Sequence, residues 1–184
     1  MEKRHEIRLS GYGGQGIILA GYILAQAASI HEKRNAVFIQ DYGPEARGGA
    51  CRADIVISDK PVRHPYIGTP SILVAMSQQA YDKYFPANPQ NTLVLIEEEL
   101  VKPQETRGAK LLAFSPRRIA EEELGRPTVA NIVMLGVLTA VTGVVSPEAM
   151  KKSILSSVPK NTEEVNLKAF ERGYQYGREK FGST

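Results

Sequence analysis

The stretch that decides the fold is Ile7-Arg8-Leu9-Ser10-Gly11-Tyr12-Gly13-Gly14-Gln15-Gly16, which runs into an apolar helical pattern from Ile17 to Ala28. A short strand, a glycine turn and a helix follow one another here. Glycine permits the sharp turn, and the first N–H groups of the helix are left free to bind a phosphate or carboxylate. The sequence therefore predicts an anion cradle at Gly13, Gly14, Gln15 and Gly16. The same residues also fit the dinucleotide fingerprint G-x-G-x-x-G.

Apolar β-branched runs alternate with helical patterns along the rest of the chain. The predicted strands are Glu6–Ser10, Ala36–Gln40, Ala53–Ser58, Ile72–Met76, Thr92–Ile96 and Lys110–Ala113. The predicted helices are Gln15–Ile30, Gln78–Tyr84, Pro116–Leu124, Ala130–Thr142, Pro147–Ser157 and Thr162–Phe181.

Such alternation predicts a three-layer α/β/α fold of Rossmann type, with helices on both faces of a mostly parallel sheet. The second and third strands are joined by a glycine-rich loop with no helix, so they would pair antiparallel and make the sheet mixed. The last third, from Ala130 onward, reads as helical throughout. No linker or repeat interrupts the pattern, which indicates a single domain over residues 1–184.

Composition excludes several classes of function. The chain has 184 residues, 42% hydrophobic and 23% charged, with a net charge of +3 and no long basic run, so a nucleic-acid partner is not expected. No apolar run approaches the roughly 20 residues that span a bilayer. The charged start at Met1–Glu6 is not a signal peptide, which indicates a cytoplasmic protein. One cysteine, Cys51, and three scattered histidines give no expectation of a metal site.

A second motif follows the second strand and reads Gln40-Asp41-Tyr42-Gly43-Pro44-Glu45-Ala46-Arg47-Gly48-Gly49. Asp41 stands where a dinucleotide-binding domain has its ribose-binding acid, so a free-standing NAD-binding domain is one alternative. The loop after Asp41, with its two glycine turns, is unlike the helix entry of that fold. Both glycine loops leave the carboxyl ends of strands, where open α/β sheets bind ligands. Arg47, Gly48 and Gly49 are therefore predicted to join the cradle of the first loop.

These two motifs together resemble the gamma subunit of the 2-oxoacid:ferredoxin oxidoreductases. The resemblance rests on Gly-Tyr-Gly-Gly-Gln-Gly at 11–16 and Tyr-Gly-Pro-Glu-Ala-Arg-Gly-Gly at 42–49. It continues through residues 57–62, 131–136, 158–160 and 166–174, and so covers nearly the whole chain. The form of the second motif is more similar to the 2-oxoglutarate type than to the pyruvate type. The 2-oxoisovalerate and indolepyruvate types are also related.

The resemblance implies a subunit that is inactive alone. Such complexes decarboxylate a 2-oxoacid oxidatively, form an acyl-coenzyme A and pass two electrons to ferredoxin. Thiamine diphosphate, magnesium and iron–sulfur clusters are then expected on alpha, beta and delta partners, and no catalytic residue is assigned to this chain. The glycine loops would bind coenzyme A, with Arg47 on its phosphates. Alternatively they would dock the partner subunits, with Glu45 and Arg47 in intersubunit ion pairs. An isolated copy would self-associate through the same patch.

Three further features of the sequence are given structural interpretations. Cys51 is expected to be a small buried residue, because nothing in the sequence supplies an activating base. Asn131 is expected to cap its helix or to hydrogen-bond a loop. The run Glu97-Glu98-Glu99 after the fifth strand is expected to form a solvated edge.

Overall fold

The computed structural model describes residues 3–43, 49–103 and 106–182, and its centre is one six-stranded sheet. The strands are β1 (Arg4–Tyr12), β2 (Asn35–Asp41), β3 (Ala50–Ser58), β4 (Ile72–Ala75), β5 (Leu93–Glu97) and β6 (Lys110–Phe114). The helices are α1 (Ile17–Gln26), α2 (Gln78–Tyr84), α3 (Pro116–Arg118), α4 (Ala130–Thr142), α5 (Pro147–Ser157) and α6 (Glu163–Phe181). Single π-helical turns extend α1 through Ala27–His31 and α3 through Ile119–Glu123, and a 3₁₀ turn, Pro127–Val129, leads into α4.

The sheet is mixed, with the strand order β2-β3-β1-β4-β5-β6. Strands β1, β4, β5 and β6 run parallel, whereas β3 is antiparallel to both β1 and β2. The loop between β2 and β3 is too short for a helical crossover, and the two strands therefore pair as a hairpin. The predicted mixed sheet and α/β class are confirmed.

The two faces of the sheet are covered unequally. Alternate residues of β1 and β3, such as Ile7 and Ile55, join α1, α4, α5 and α6 in the larger hydrophobic core. On the opposite face α2 packs over β1, β3 and β4, in a smaller core that includes Leu73 and Tyr81. The three predicted layers are present, with the helical C-terminal third concentrated on one face.

Helices α4 and α6 approach each other at glycine. A Cβ on Gly173 would collide with the backbone of Val133, and one on Gly136 would collide with the backbone of Phe170. Because glycine has no side chain, the two helix backbones touch at these positions, and α6 packs closely against the buried α4.

Helix starts follow the local sequence. The hydroxyl oxygens of Ser115 and Ser146 accept hydrogen bonds from the N–H groups of Arg118 (3.1 Å) and Ala149 (3.2 Å), so each serine caps the start of its helix. Helix α1 begins later than predicted, at Ile17, because Gly16 is left-handed with φ 71°. No helix in the described part of the chain is long and apolar enough to cross a membrane.

A buried ion pair links β1 to β3 on the face of the sheet that carries the smaller core. The guanidinium of Arg8, 7% exposed, donates to both carboxylate oxygens of Asp54, 5% exposed, at 2.7 and 2.8 Å. It also donates to the carbonyl of Ile67 at 3.2 Å. Removing one partner of such a pair leaves the other charged and buried.

We therefore expect Arg8→Ala to lower the free energy of unfolding by about 3–5 kcal/mol, because Asp54 loses its bidentate partner. Arg4→Ala is the matched control: Arg4 pairs with Glu6 in a partly exposed position, where an ion pair contributes about 0–1 kcal/mol. Urea unfolding followed by circular dichroism measures both. Equal losses in the two variants would contradict this ranking.

Candidate functional site

The turn between β1 and α1 lies at the carboxyl edge of the parallel strands. Gly14 has φ 107° and Gly16 has φ 71°, both in the region that side chains rarely adopt. The N–H of Gln15 donates to the carbonyl of Tyr12 at 3.2 Å, which closes the turn. The two glycines therefore give the chain the reversal that the sequence predicts.

The Gln15 side chain stabilises this turn through two hydrogen bonds. Its Oε1 accepts from the N–H of Tyr12 at 2.9 Å, and its Nε2 donates to the carbonyl of Met76 at 2.7 Å. Met76 directly follows β4, so one amide joins the carboxyl ends of two neighbouring strands. One Nε2 hydrogen remains for another acceptor.

Helix α1 presents free N–H groups at its start. Its first internal bond runs from the N–H of Ala20 to the carbonyl of Gly16, at 2.9 Å, and no described group accepts from the N–H groups of Ile17, Ile18 and Leu19. Such orphan donors, together with the positive end of the helix dipole, favour an anion.

Asn131, in the first turn of α4, fixes the start of α1. Its side chain is packed against Gly16, where a Cβ would collide with it, and its Nδ2 donates to the Gly16 carbonyl at 3.2 Å. The predicted hydrogen bond from Asn131 to a loop is confirmed. The N-terminal ends of α1 and α4 are consequently held side by side.

A cavity of about 270 Å³ opens beside this pair of helix starts. Its lining comes from the glycine turn (Tyr12, Gly14, Gln15), the ends of β4 and β5 (Met76, Glu97), and the segments that lead into α3 and α4 (Leu100, Arg117, Pro127, Thr128, Ala130). The cavity thus brings together part of the glycine turn, one guanidinium and one carboxyl group.

Glu97 is the buried acid of this cavity, with 1% of its surface exposed. Its carboxylate accepts from the N–H groups of Glu99 (3.3 Å) and Arg117 (3.2 Å). Burial raises the pKa of Glu97 above its usual value, and hydrogen bonds from Ser115, Arg117 and Glu99 oppose the rise. The expectation of a solvated edge is wrong for Glu97, because it ends a strand buried on both faces.

The comparisons with known proteins agree with this architecture. The family model described as pyruvate ferredoxin/flavodoxin oxidoreductase matches residues 6–176. The chain belongs to this family.

Relatives within the family differ in similarity. The 2-oxoglutarate synthase subunit KorC of Methanocaldococcus jannaschii is 51% identical, over 97% of this chain and 97% of that protein. The ketoisovalerate oxidoreductase subunit VorA of Methanothermobacter marburgensis is 31% identical over 94% of this chain, which corresponds to 36% of that longer protein.

Solved structures share the fold. The gamma subunit of keto/oxoacid ferredoxin oxidoreductase from Geobacter sulfurreducens PCA is 43% identical, with a TM-score of 0.85 over 95% of this chain and 97% of that one. The 2-oxoglutarate:ferredoxin oxidoreductase from Magnetococcus marinus, solved with 2-oxoglutarate, coenzyme A and succinyl-CoA, gives a TM-score of 0.83 at 19% identity. The match covers 98% of this chain and 32% of the Magnetococcus chain, and at that identity it shows the fold alone.

The described ends of the second glycine loop, Gly43 and Gly49, lie at the same edge as the first loop. Gly49 is buried beside Ala50, whose partner in the sheet is Tyr12. The Asp41 carboxylate accepts from the N–H of Gly43 at 2.9 Å and pairs with Arg52 at 3.4 Å. Arg47 and Gly48 lie outside the described residues, and their predicted contacts remain predictions.

The NAD-binding alternative is wrong for this sheet. The antiparallel strand β3 lies between β1 and β2, whereas the dinucleotide fold pairs those two strands directly. Asp41 is therefore displaced from the glycine turn by an extra strand spacing of about 4.8 Å. Its carboxylate is also engaged with Gly43 and Arg52.

Sequence reasoning missed Glu97, Arg117 and Thr128 as lining residues. Arg117 follows the Ser115-Pro116 start of α3, and Thr128 lies just before α4, so each is set by where a helix begins. Cys51 is buried as predicted, and burial raises the pKa of its thiol. Within the described ranges, no three His, Cys, Asp or Glu side chains are grouped as a metal site.

Glu97 gives a pH-dependent prediction about stability. Its folded pKa is raised, so its stabilising contribution is complete below the unfolded pKa and is lost as the pH rises through the folded value. We expect the melting temperature of Glu97→Gln to rise relative to that of the native chain as the pH is raised from about 4 into the neutral range. Thermal unfolding across this range measures the difference. Exposed Glu122→Gln controls for the loss of one charge, and a pH-independent difference for Glu97→Gln would contradict the prediction.

Proposed function

We propose that this chain is the gamma-type subunit of a 2-oxoglutarate:ferredoxin oxidoreductase. The complex would decarboxylate 2-oxoglutarate oxidatively, join the acyl group to coenzyme A and deliver electrons to ferredoxin. Support for the substrate comes from the 51% identity to a KorC subunit over nearly the full length of both chains, against 31% to VorA. The form of the second glycine motif, Tyr42 to Gly49, favours the same type.

Within that complex, we propose that the glycine turn forms part of the coenzyme A site. The observation that carries this role is the set of free N–H groups at Ile17, Ile18 and Leu19 beside the cavity that Arg117 lines. Coenzyme A supplies the thiol that accepts the acyl group, and its phosphates suit these donors. Gly13, Gly14, Gln15 and Gly16 would hold the phosphates by backbone, and Arg47, Gly48 and Gly49 would complete the cradle. The role of this chain is then positioning.

Partner subunits carry the remaining chemistry in this proposal. Alpha and beta subunits would hold thiamine diphosphate and magnesium, iron–sulfur clusters would lie on beta or delta chains, and the assembly would be cytoplasmic. Docking of these partners at the glycine loops is a second role for the same surface. The two roles are compatible, because an active site at a subunit junction needs both.

Purification tests the identity of the subunit. A tagged chain, isolated anaerobically from its native source, is expected to bring down thiamine- and cluster-bearing subunits. The eluate should reduce a low-potential dye only when 2-oxoglutarate and coenzyme A are both present, and pyruvate should replace 2-oxoglutarate poorly. A chain that co-purifies with no such subunits, or a complex that prefers pyruvate, would overturn the proposal.

Arg117→Ala tests the coenzyme A site within the assembled complex. Loss of one charge-assisted contact is expected to raise the KM for coenzyme A by about tenfold, with kcat little changed, because the contact is made equally in ground and transition states. Arg118→Ala is the matched control, since the Arg118 side chain pairs with Glu98 and Glu99 instead. A KM that responds equally to both variants would refute the assignment.

A further inference from the structure

Glu97 is an acid buried in the wall of a cavity that otherwise favours anions. It is 1% exposed, and it lines the cavity together with Arg117. Burying a carboxyl group costs free energy, and its negative charge opposes an anion nearby. A residue with both costs calls for a compensating role, and the hydrogen bonds of its carboxylate indicate that role.

The Glu97 carboxylate joins the end of β5 to the start of α3. One of its oxygens accepts from the N–H of Arg117 at 3.2 Å, and the other accepts from the N–H of Glu99 at 3.3 Å. Hydrogen bonds to an ionised acceptor are stronger than those between neutral groups. The backbone of Arg117 is therefore fixed to a central strand, although the two segments are 20 residues apart in the sequence.

The other groups at the start of α3 are also engaged within the chain. The Ser115 hydroxyl donates to Glu97, and its oxygen accepts from the N–H of Arg118 at 3.1 Å. Pro116 has no N–H to offer. What this end of α3 presents to the cavity is therefore the Arg117 side chain, carried on a backbone that the chain holds by itself.

The Arg117 guanidinium is held much less firmly than the Arg117 backbone. Its Nε lies 3.7 Å from the carboxylate of Glu121, and both side chains are more than half exposed. An ion pair between exposed side chains contributes little, so Glu121 does not prevent the guanidinium from turning to an anion in the cavity. A fixed backbone lowers the entropy that the arginine loses when it binds.

We propose that Glu97 is a positioning residue, which holds Arg117 where its guanidinium meets a phosphate of coenzyme A. This rests on the proposed function, which supplies the ligand. Glu97 acts through the N–H of Arg117 and not on coenzyme A itself. The sheet thereby sets the starting point of the arginine side chain, and small displacements of such a group are costly to a reaction.

Two substitutions of Glu97, measured in the assembled complex, test this role. Glu97→Gln keeps the shape but leaves one uncharged acceptor oxygen, so we expect the KM for coenzyme A to rise by about three- to fivefold, with kcat little changed. Glu97→Met has no acceptor oxygen and is expected to raise this KM by about tenfold, as Arg117→Ala does. Thermal unfolding checks that each variant folds, and Glu97→Gln decides if the Met variant does not.

A double-mutant cycle with Arg117→Ala separates positioning from general damage to the fold. If Glu97 acts through Arg117, adding Glu97→Gln to Arg117→Ala raises the KM for coenzyme A by less than about 1.5-fold, because the guanidinium to be positioned is already gone. Partial unfolding of the variant would instead lower the concentration of active complex, which reduces the apparent kcat and leaves KM unchanged.

Glu99→Gln is the matched control for the loss of one carboxylate in the same turn. The Glu99 side chain pairs with Arg118 at 3.3 Å in an exposed position. The Glu99 N–H that bonds to Glu97 is kept in this variant. We expect the KM for coenzyme A to change by less than about twofold, since an exposed ion pair contributes little.

The outcomes separate the two proposals. If Arg117→Ala leaves the KM for coenzyme A unchanged, the proposed coenzyme A site fails and this inference fails with it. If Arg117→Ala raises KM whereas Glu97→Gln leaves it unchanged or lowers it, the site stands and Glu97 does not position Arg117. Equal increases for Glu97→Gln with and without the Arg117 side chain, or an equal increase for Glu99→Gln, would likewise overturn the inference alone.

Discussion

The Gln15 amide is the contact on which the carboxyl edge of the sheet depends. It bonds to the end of β1 and to Met76 after β4, so the glycine turn cannot move away from the neighbouring strand. Asn131 then fixes the other side of the turn through the Gly16 carbonyl. Two side-chain amides therefore set where α1 and α4 begin. The cavity exists because both helices start at one edge, and its donors need no reorganisation before an anion binds.

The lining of this cavity contains one basic and one acidic side chain. Helix starts and Arg117 favour an anion, yet Glu97 lies in the same lining. Burial raises the pKa of Glu97, so this lining disfavours the charged form of the carboxyl group. Hydrogen bonds to Glu97 from Glu99 and Arg117 also hold the wall formed by the start of α3.

Periodicity and glycine placement were sufficient to predict the elements of this fold. All six strands and the six main helices follow from local patterns, and the antiparallel pairing of β2 and β3 follows from their short helix-free loop. The lining residues Glu97, Arg117 and Thr128 were not predicted, because their positions depend on packing between segments that are far apart in the sequence. Glu97 resembles its exposed neighbours in sequence, and only its place at the end of a central strand buries it. Asp41 matched a ribose-binding acid by spacing, and the insertion of β3 between β1 and β2 moved it away.

Strand β1 connects the two edges of the molecule. Its carboxyl end leads into the glycine turn, and its Arg4 and Arg8 hold the 59–71 segment near the opposite end. A single rigid strand, hydrogen-bonded on both sides, fixes the distance between the cavity at the carboxyl edge and the 59–71 segment at the amino edge. Under the function proposed above, a molecule bound in the cavity would therefore keep a constant position relative to that segment, and the contribution of this chain would be positioning.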